Sequence, residues 1–286
     1  MSTPSSAFST KLGAIITGAA SGVGLTLTRH LLSKGWVVVM VDVDPAGEAL
    51  AKEFGSTVLW SKTDVGSWES QLEMFEKAFA WCPQICFLAA NAGMMTNVAA
   101  PFGLFSADAE GLEKPSLQVL EVNLTGIIYG IKIFLHHIRK ANAGEKDGVK
   151  ARIVITGSEG GFYPLPYDPV YCARLTRSLG WRYLEMFGIT VNSINPGYMK
   201  TGLVAPLIPV TPDEYETPMS VIMQAYDALM EGKMSGQTIE ASGKNLYYQK
   251  QQAYPDEVAR WLMEDGPAFW ADALTKLGAK AAMDSN

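Results

Sequence analysis

The stretch that most limits what this chain can fold into lies close to its start. Leu12 to Thr17 is a short apolar run, Gly18-Ala-Ala-Ser-Gly22-Val-Gly24 follows directly, and Leu25 to Leu32 repeats apolar residues at helical spacing. Strand, glycine-rich turn and helix in that order make the first half of a βαβ unit. Gly18 permits the tight turn, and Gly22 and Gly24 let backbone N–H groups approach a pyrophosphate at the positive end of the helix, with Ser21 and Val23 between them. Taken alone, the glycines fit an ordinary strand-to-helix turn as well. The next strand, Trp36 to Val41, is continuously apolar and ends at Asp42, eighteen residues past Gly24. An acid at that place accepts hydrogen bonds from a ribose 2′-OH and repels a 2′-phosphate. Neither Ala20 nor Val43 is basic, so NAD rather than NADP is the expected cofactor.

Further along, Val58 to Trp60 reads as a third strand with Asp64-Val65 just beyond it, followed by an amphipathic helix from Ser67 to Trp81. Ile85 to Ala89 is a fourth strand running into Asn91-Ala92-Gly93, small residues that allow a strand end to lie flat against a planar ligand. A helix from Ser116 to Lys140 carries Asn123 among Leu120, Val122 and Leu124, where a buried amide must find partners and most often serves packing. Ile189 to Ile194 is a sixth strand that ends in Asn195-Pro196-Gly197-Tyr198-Met199-Lys200-Thr201. Alternating strands and helices without repeats or a linker predict an α/β fold: a doubly wound, parallel, Rossmann-like sheet in a single domain over 11–286, preceded by a flexible 1–10. With 48% hydrophobic and 18% charged residues the chain can bury a large core, and a net charge of -6 excludes a basic footprint for nucleic acid. The N-terminal MSTPSSAFSTK has neither basic start nor apolar core, and no run of eighteen apolar residues follows, so no membrane association and a cytoplasmic location are expected. Cys82, Cys86 and Cys172 are odd in number and have no His cluster beside them; they read as free thiols, with no metal site.

Residues 151–178, ARIVITGSEGGFYPLPYDPVYCARLTRS, join a buried strand to a helix beginning near Tyr171. Ser158 therefore sits at a strand's carboxyl end, with a phenol thirteen residues later at a helix start. Ligands of parallel α/β sheets bind outside the strand carboxyl ends. There the pair can share one substrate oxygen, Ser158 as hydrogen-bond donor and Tyr171 as proton donor or acceptor. A lone Ser and Tyr are more often turn chemistry and core packing.

Assembled in this order, the residues resemble a short-chain dehydrogenase/reductase from about Leu12 to Thr201. Thr17 to Gly24 is similar to the TGxxxGxG cofactor loop, Asp42 to the NAD-selecting acid, Asp64-Val65 to the adenine contact and Asn91-Ala92-Gly93 to the NAG motif. Asn123, Ser158 and Tyr171 resemble the family's catalytic Asn, Ser and Tyr, and Pro196-Gly197, with Thr201 beyond, the nicotinamide-side turn. PVYCA and the C-terminal part look like the NAD-dependent 15-hydroxyprostaglandin-dehydrogenase-like branch. The resemblance implies hydride transfer between nicotinamide and a secondary alcohol or ketone, with Tyr171 exchanging the proton, Ser158 holding the substrate oxygen and Asn123 a relay water.

The family's lysine four residues after Tyr is absent: that position is Leu175, and YCARLTRSLG has lost about five or six residues from inside the helix, judged by the resemblance. A phenol titrates near 10, and a cation about 5 Å away at an effective dielectric of about 20 would lower that by roughly two units. Arg174, one residue earlier on nearly the same face, can supply charge but cannot relay protons, because guanidinium stays protonated; it also reads plainly as a solvated residue. Two alternatives to redox chemistry follow: an isomerase, dehydratase or cyclase on the same scaffold, or an NAD-binding protein with impaired turnover. Met94, Met95, Phe102, Leu104 and Phe105 after the fourth strand, and Leu203, Pro206, Leu207, Ile208, Tyr215 and Met219 in a substrate lid near 198–223, suggest a fairly large apolar substrate. A homodimer is expected, with Trp181, Tyr183 and Met186 on the face turned by the shortened helix.

Overall fold

The protein's structure is a computed structural model that describes residues 11–95, 114, 116–141, 148–163, 175–266, 269–270 and 272–273. Six parallel strands alternate with helices: β1 (Gly13–Thr17), α1 (Gly22–Ser33), β2 (Val37–Asp42), α2 (Ala46–Phe54), β3 (Val58–Lys62), α3 (Trp68–Trp81), β4 (Ile85–Ala90), α4 (Gln118–Ala141), β5 (Ala151–Thr156), α5 (Leu175–Phe187) and β6 (Ile189–Pro196). Helix α6 (Met219–Glu231) leads to a seventh parallel strand, β7 (Thr238–Ser242), and to antiparallel β8 (Asn245–Tyr248). The sheet order is β3-β2-β1-β4-β5-β6-β7-β8, so the winding reverses between β1 and β4, where a crevice opens at the carboxyl ends.

Strand β2 shows why the runs are apolar throughout. Val38 and Met40 join one core with Leu27 and Leu31 of α1 and Ile222, Tyr226 and Leu229 of α6. Val37, Val39 and Val41 join the opposite core with Phe75 of α3 and Ile131 and Phe134 of α4. A strand covered on both faces has no polar side to show, and each such buried side chain contributes roughly 1.5–3 kcal/mol. By length and composition α4 is apolar enough to cross a membrane; its buried Ile127, Ile131, Phe134 and Ile138 face the second core.

The expected strands are all present, with β3, β4 and β6 one or two residues longer; β3 continues to Lys62 because β2 offers it partners as far as Asp42. Helix α3 starts at Trp68, with Ser67 as its cap: the Ser67 hydroxyl oxygen accepts from the Ser70 N–H at 3.2 Å. Helix α4 contains one π turn, Glu121–Thr125, around Asn123. Residues 198–223 hold two 3-10 segments, Gly202–Val210 and Asp213–Tyr215, and the first turn of α6. The β7–β8 hairpin was not anticipated; it turns through Gly243-Lys244, with Gly243 at φ +53°.

The chain divides into two compact units, Met1–Gln249 and Lys250–Asn286, and the whole sheet lies in the first. The second contains α7 (Glu257–Glu264), capped by Asp256, whose carboxylate accepts from the Ala259 N–H at 2.8 Å. Residues 1–10 lie outside the described residues.

Candidate active site

A cleft of about 870 Å³ opens at the carboxyl ends of β1, β2, β4, β5 and β6. Its floor is the glycine loop. Gly18 has φ +69°, and a Cβ there would stand 2.9 Å from the Ala92 Cα. A Cβ on Gly24 would lie 2.1 Å from the Gly18 carbonyl oxygen, so only glycine lets the first turn of α1 fold down onto the end of β1. The Thr17 hydroxyl knits β1 to β4: its oxygen accepts from the N–H groups of Asn91 (3.0 Å) and Ala92 (2.9 Å), and its proton goes to the Ala89 carbonyl (3.3 Å). Asn91 returns a bond from Nδ2 to the Thr17 carbonyl at 3.0 Å. Asn91-Ala92-Gly93 thus braces the crevice where the winding reverses. Nothing local in the sequence marks Thr17 for this part, because its bonds cross more than seventy residues of chain.

At one end of the cleft Asp42 closes β2. Its two carboxylate oxygens accept from the Ala20 N–H (2.9 Å) and the Asp44 N–H (3.0 Å), which fixes the group before any ligand arrives. Asp64 Oδ1 accepts from the Gly66 N–H at 2.8 Å, and Gln71 Nε2 donates to the carbonyls of Val65 (2.6 Å) and Gly126 (2.8 Å), locking the 64–66 turn against α4. Across the mouth, the Thr201 methyl would meet a Cβ on Gly22 at 3.5 Å, so the segment after β6 reaches back over the glycine loop. Val23, Gly93, Pro196 and Gly197 also line the cleft.

At the other end lie the groups expected to act on substrate. Asn123 Oδ1 accepts from the Met94 N–H (2.9 Å) and Nδ2 donates to the Met94 carbonyl (2.7 Å), so the amide grips the chain just beyond β4. The Ser158 hydroxyl oxygen accepts from the Gly160 N–H at 3.1 Å, which leaves the hydroxyl's own proton to be donated. Tyr171, Arg174 and Cys172 lie outside the described residues, as do Phe102, Leu104 and Phe105; Leu175 is the first residue of α5.

Glu159, Tyr163 and Tyr198 are cleft-lining residues that sequence reasoning did not single out. The Glu159 carboxyl rests on Gly197, where a Cβ would come within 2.7 Å of Oε1 and 3.0 Å of Thr217 Oγ1. Burial, and then repulsion from Glu240, push its pKa above the usual carboxyl range. Glu240 is buried on β7 and accepts from the Tyr163 hydroxyl at 3.2 and 3.1 Å and from Gln249 Nε2. The Tyr163 phenol titrates above its ordinary value, first through that bond and then through the carboxylate's charge.

Comparison with known proteins decides the family. The sequence model of the family described as short chain dehydrogenase matches residues 13–209, from the start of β1 into the turns that follow β6. The chain belongs to the short-chain dehydrogenase/reductase family. The protein is 30% identical to the short-chain dehydrogenase/reductase prx6 of Penicillium rubens, over 82% of this chain and 84% of that one. It is 34% identical to cis-4-hydroxycyclohexanecarboxylate dehydrogenase of Sinomonas cyclohexanicum, over 68% of this chain and 76% of that one. It is 30% identical to 5'-hydroxyaverantin dehydrogenase of Dothistroma septosporum, over 68% and 69% respectively. Among solved structures, a 3-ketoacyl-(acyl-carrier-protein) reductase from Brucella melitensis in complex with NADH superposes with a TM-score of 0.68 at 24% identity, over 81% of this chain and 97% of that one. ElxO with NADP bound gives 0.67 at 19% identity, over 82% of this chain and 98% of that one. These likenesses carry the fold, and family membership makes the protein an oxidoreductase of the nicotinamide-dependent kind.

The residues present fit such a cofactor. The glycine floor leaves room where any Cβ would fill it, the Asp42 carboxylate stands at one end, and the cleft is long enough to reach Ser158 at the other. Asp42 would meet the adenosine ribose, the Gly18–Gly24 loop the pyrophosphate and Pro196-Gly197 the nicotinamide. A bound nicotinamide supplies hydride chemistry; the chain supplies orientation, exclusion of water and the Ser158 proton donor.

Proposed function

We propose that the protein is an NAD(H)-dependent dehydrogenase/reductase that interconverts a secondary alcohol and a ketone on a fairly large, mostly apolar ring substrate. The observation that carries the reading is one continuous cleft with a pre-fixed Asp42 carboxylate at one end and the Ser158 hydroxyl at the other. No basic side chain occurs among the described residues that line it, so a 2′-phosphate would find repulsion and no partner. Met94, Met95, Leu203, Val204 and Leu207 supply the apolar walls, and the 3-10 turns between Gly202 and Tyr215 act as the lid. The ring follows from the relative named for cis-4-hydroxycyclohexanecarboxylate. In this reading Ser158 donates to the substrate oxygen, Tyr171 exchanges its proton, and Asn123 keeps the Met94 wall in place.

Leu175 in place of the family's lysine favours a second reading, acid–base chemistry on the same scaffold without net redox change. Absorbance of NADH with panels of cyclic ketones and alcohols separates the two, and fluorescence titration should show NADH bound clearly better than NADPH. Tyr171→Phe should abolish turnover and leave NADH binding intact. Without a lysine, alcohol oxidation should peak above about pH 9, toward the free phenol's value; a silent Tyr171→Phe together with an ordinary pH optimum would sink the redox reading.

A further inference from the structure

Glu159 follows Ser158 in the chain and feels the charge of Glu240, and the two carboxyl groups differ in what they have left to offer. Glu240 is 6% exposed, and both its oxygens already accept protons from Tyr163 and Gln249. Glu159, next to Ser158 and part-exposed on the cleft wall, has Ser242 near its carboxyl and neither of the two donors that occupy Glu240. An ionised carboxyl has about four acceptor positions, so most of its capacity is unspent. Gly197 sets its place, since any side chain there would strike Oε1. The next residue, Tyr198, lines the same wall, and its hydroxyl is buried without a hydrogen-bond partner among the described residues. Met94, Met95, Leu203 and Leu207 add apolar surface to the same cleft. Glu159 is the one carboxyl group among the described lining residues at this end, beside the hydroxyls of Ser158, Tyr163 and Tyr198, so it sets which charge a substrate can bring here.

We propose that Glu159 is the specificity-determining residue of the substrate half of this cleft: its carboxylate accepts a hydrogen bond from a hydroxyl on an otherwise apolar ring substrate and turns away substrates that bear a carboxylate. The proposal rests on the dehydrogenase reading for which end of the cleft takes substrate. Glu240 reinforces it by adding like charge behind Glu159, and Tyr163 reinforces it by spending its proton on Glu240 and not on the ligand.

The test uses the full chain saturated with NADH and three matched probes: α-tetralone, a ring-hydroxylated α-tetralone, and the corresponding ring carboxylate. Calorimetry should give tightest binding for the hydroxylated ketone and weakest for the carboxylate, at least about tenfold apart, the size expected for one charge-assisted hydrogen bond. Glu159→Gln keeps the shape and removes the charge. It should bring the carboxylate's affinity up about tenfold and change that of plain α-tetralone by less than about threefold. NADH affinity and the thermal midpoint, measured alongside, report folding, and Glu159→Ala serves if Gln misfolds. Equal affinities in the wild type, failure of all three probes to bind, or a Gln variant with the same ranking would overturn the proposal. NADH oxidation in the same samples tests the other reading separately. The ranking without oxidation keeps the subsite and rejects the redox function; oxidation without the ranking does the reverse.

Discussion

At Asp42 one carboxylate carries two burdens. It accepts from the Ala20 and Asp44 amides, tying the glycine loop to the end of β2, and in the proposed function it also receives a ribose hydroxyl. Asp42→Ala should therefore weaken NADH binding by about tenfold to a hundredfold, the loss of one or two hydrogen bonds to a charged group, and narrow the gap to NADPH; fluorescence titration with both cofactors measures this. Affinity for NADH left unchanged would show that the ribose lies elsewhere. Glu159 makes a prediction in pH. Burial and Glu240 raise its pKa in the folded state, so the native protein holds this proton more tightly than the unfolded chain does. The stability it contributes is complete below the unfolded value of about 4.3 and is lost as pH rises through the raised folded value. Thermal midpoints of Glu159→Gln and wild type should converge at acid pH, with the variant gaining toward neutrality; parallel profiles would show that Glu240 does not repel it. Glu240 and Tyr163 are the other titrating groups against this carboxyl.

Helices and strands here are fixed at a few points of near contact between backbones. Where α5 crosses the loop before β7, a Cβ on Gly180 would lie 2.3 Å from both the Cα and the N of Gly236. The Ser235 hydroxyl bonds the Gly180 carbonyl at 2.6 Å and accepts from the Val191 N–H at 3.0 Å. Gly180→Ala should cost about 3 kcal/mol or more, because backbone cannot move aside as a side chain can, and lower the thermal midpoint by several degrees; a shift under a degree would mean α5 slides freely. That anchor holds α5 against the loop before β7. Features built from neighbouring residues were legible in the sequence: the glycine loop, Asp42 at a strand end, Asn91 after β4, the alternation of strands and helices that makes a parallel sheet. Thr17, Glu159 and the Asn123 grip on Met94 were not, since each acts through a partner distant in the chain. Helix α6 carries Ile222, Ala225, Tyr226 and Leu229 at helical spacing, but reading 198–223 as lid cuts through its start. The β7–β8 hairpin was missed because four- and five-residue strands give too little alternation to stand out.

For the molecule as a whole, self-association is the expectation to test, and three apolar side chains stand exposed on the helices that cover the second core. Leu72 on α3 and Ile128 on α4 are exposed, and so is Met186 on α5. We expect a dimer or a weak, concentration-dependent association, visible as a sedimentation coefficient that rises with loading; a tetramer at every concentration would contradict it. The unit ending at Gln249 holds the full sheet, both cores and the entire cleft. A chain cut there should still bind NADH with about the affinity of the intact protein, and loss of binding would assign the last residues a part in the site. The hairpin at the end of the sheet has a different consequence. Without β8, the outer side of β7 would show the unpaired amides and carbonyls of a parallel strand, the template on which a foreign strand can add in register. Antiparallel β8 covers that row and stops after four residues, with Lys244 and Lys250 on either side. Concentrated or heated protein therefore has little at this edge on which an amyloid-like stack could start, and β3, ending in Lys62, is the other edge from which one could grow.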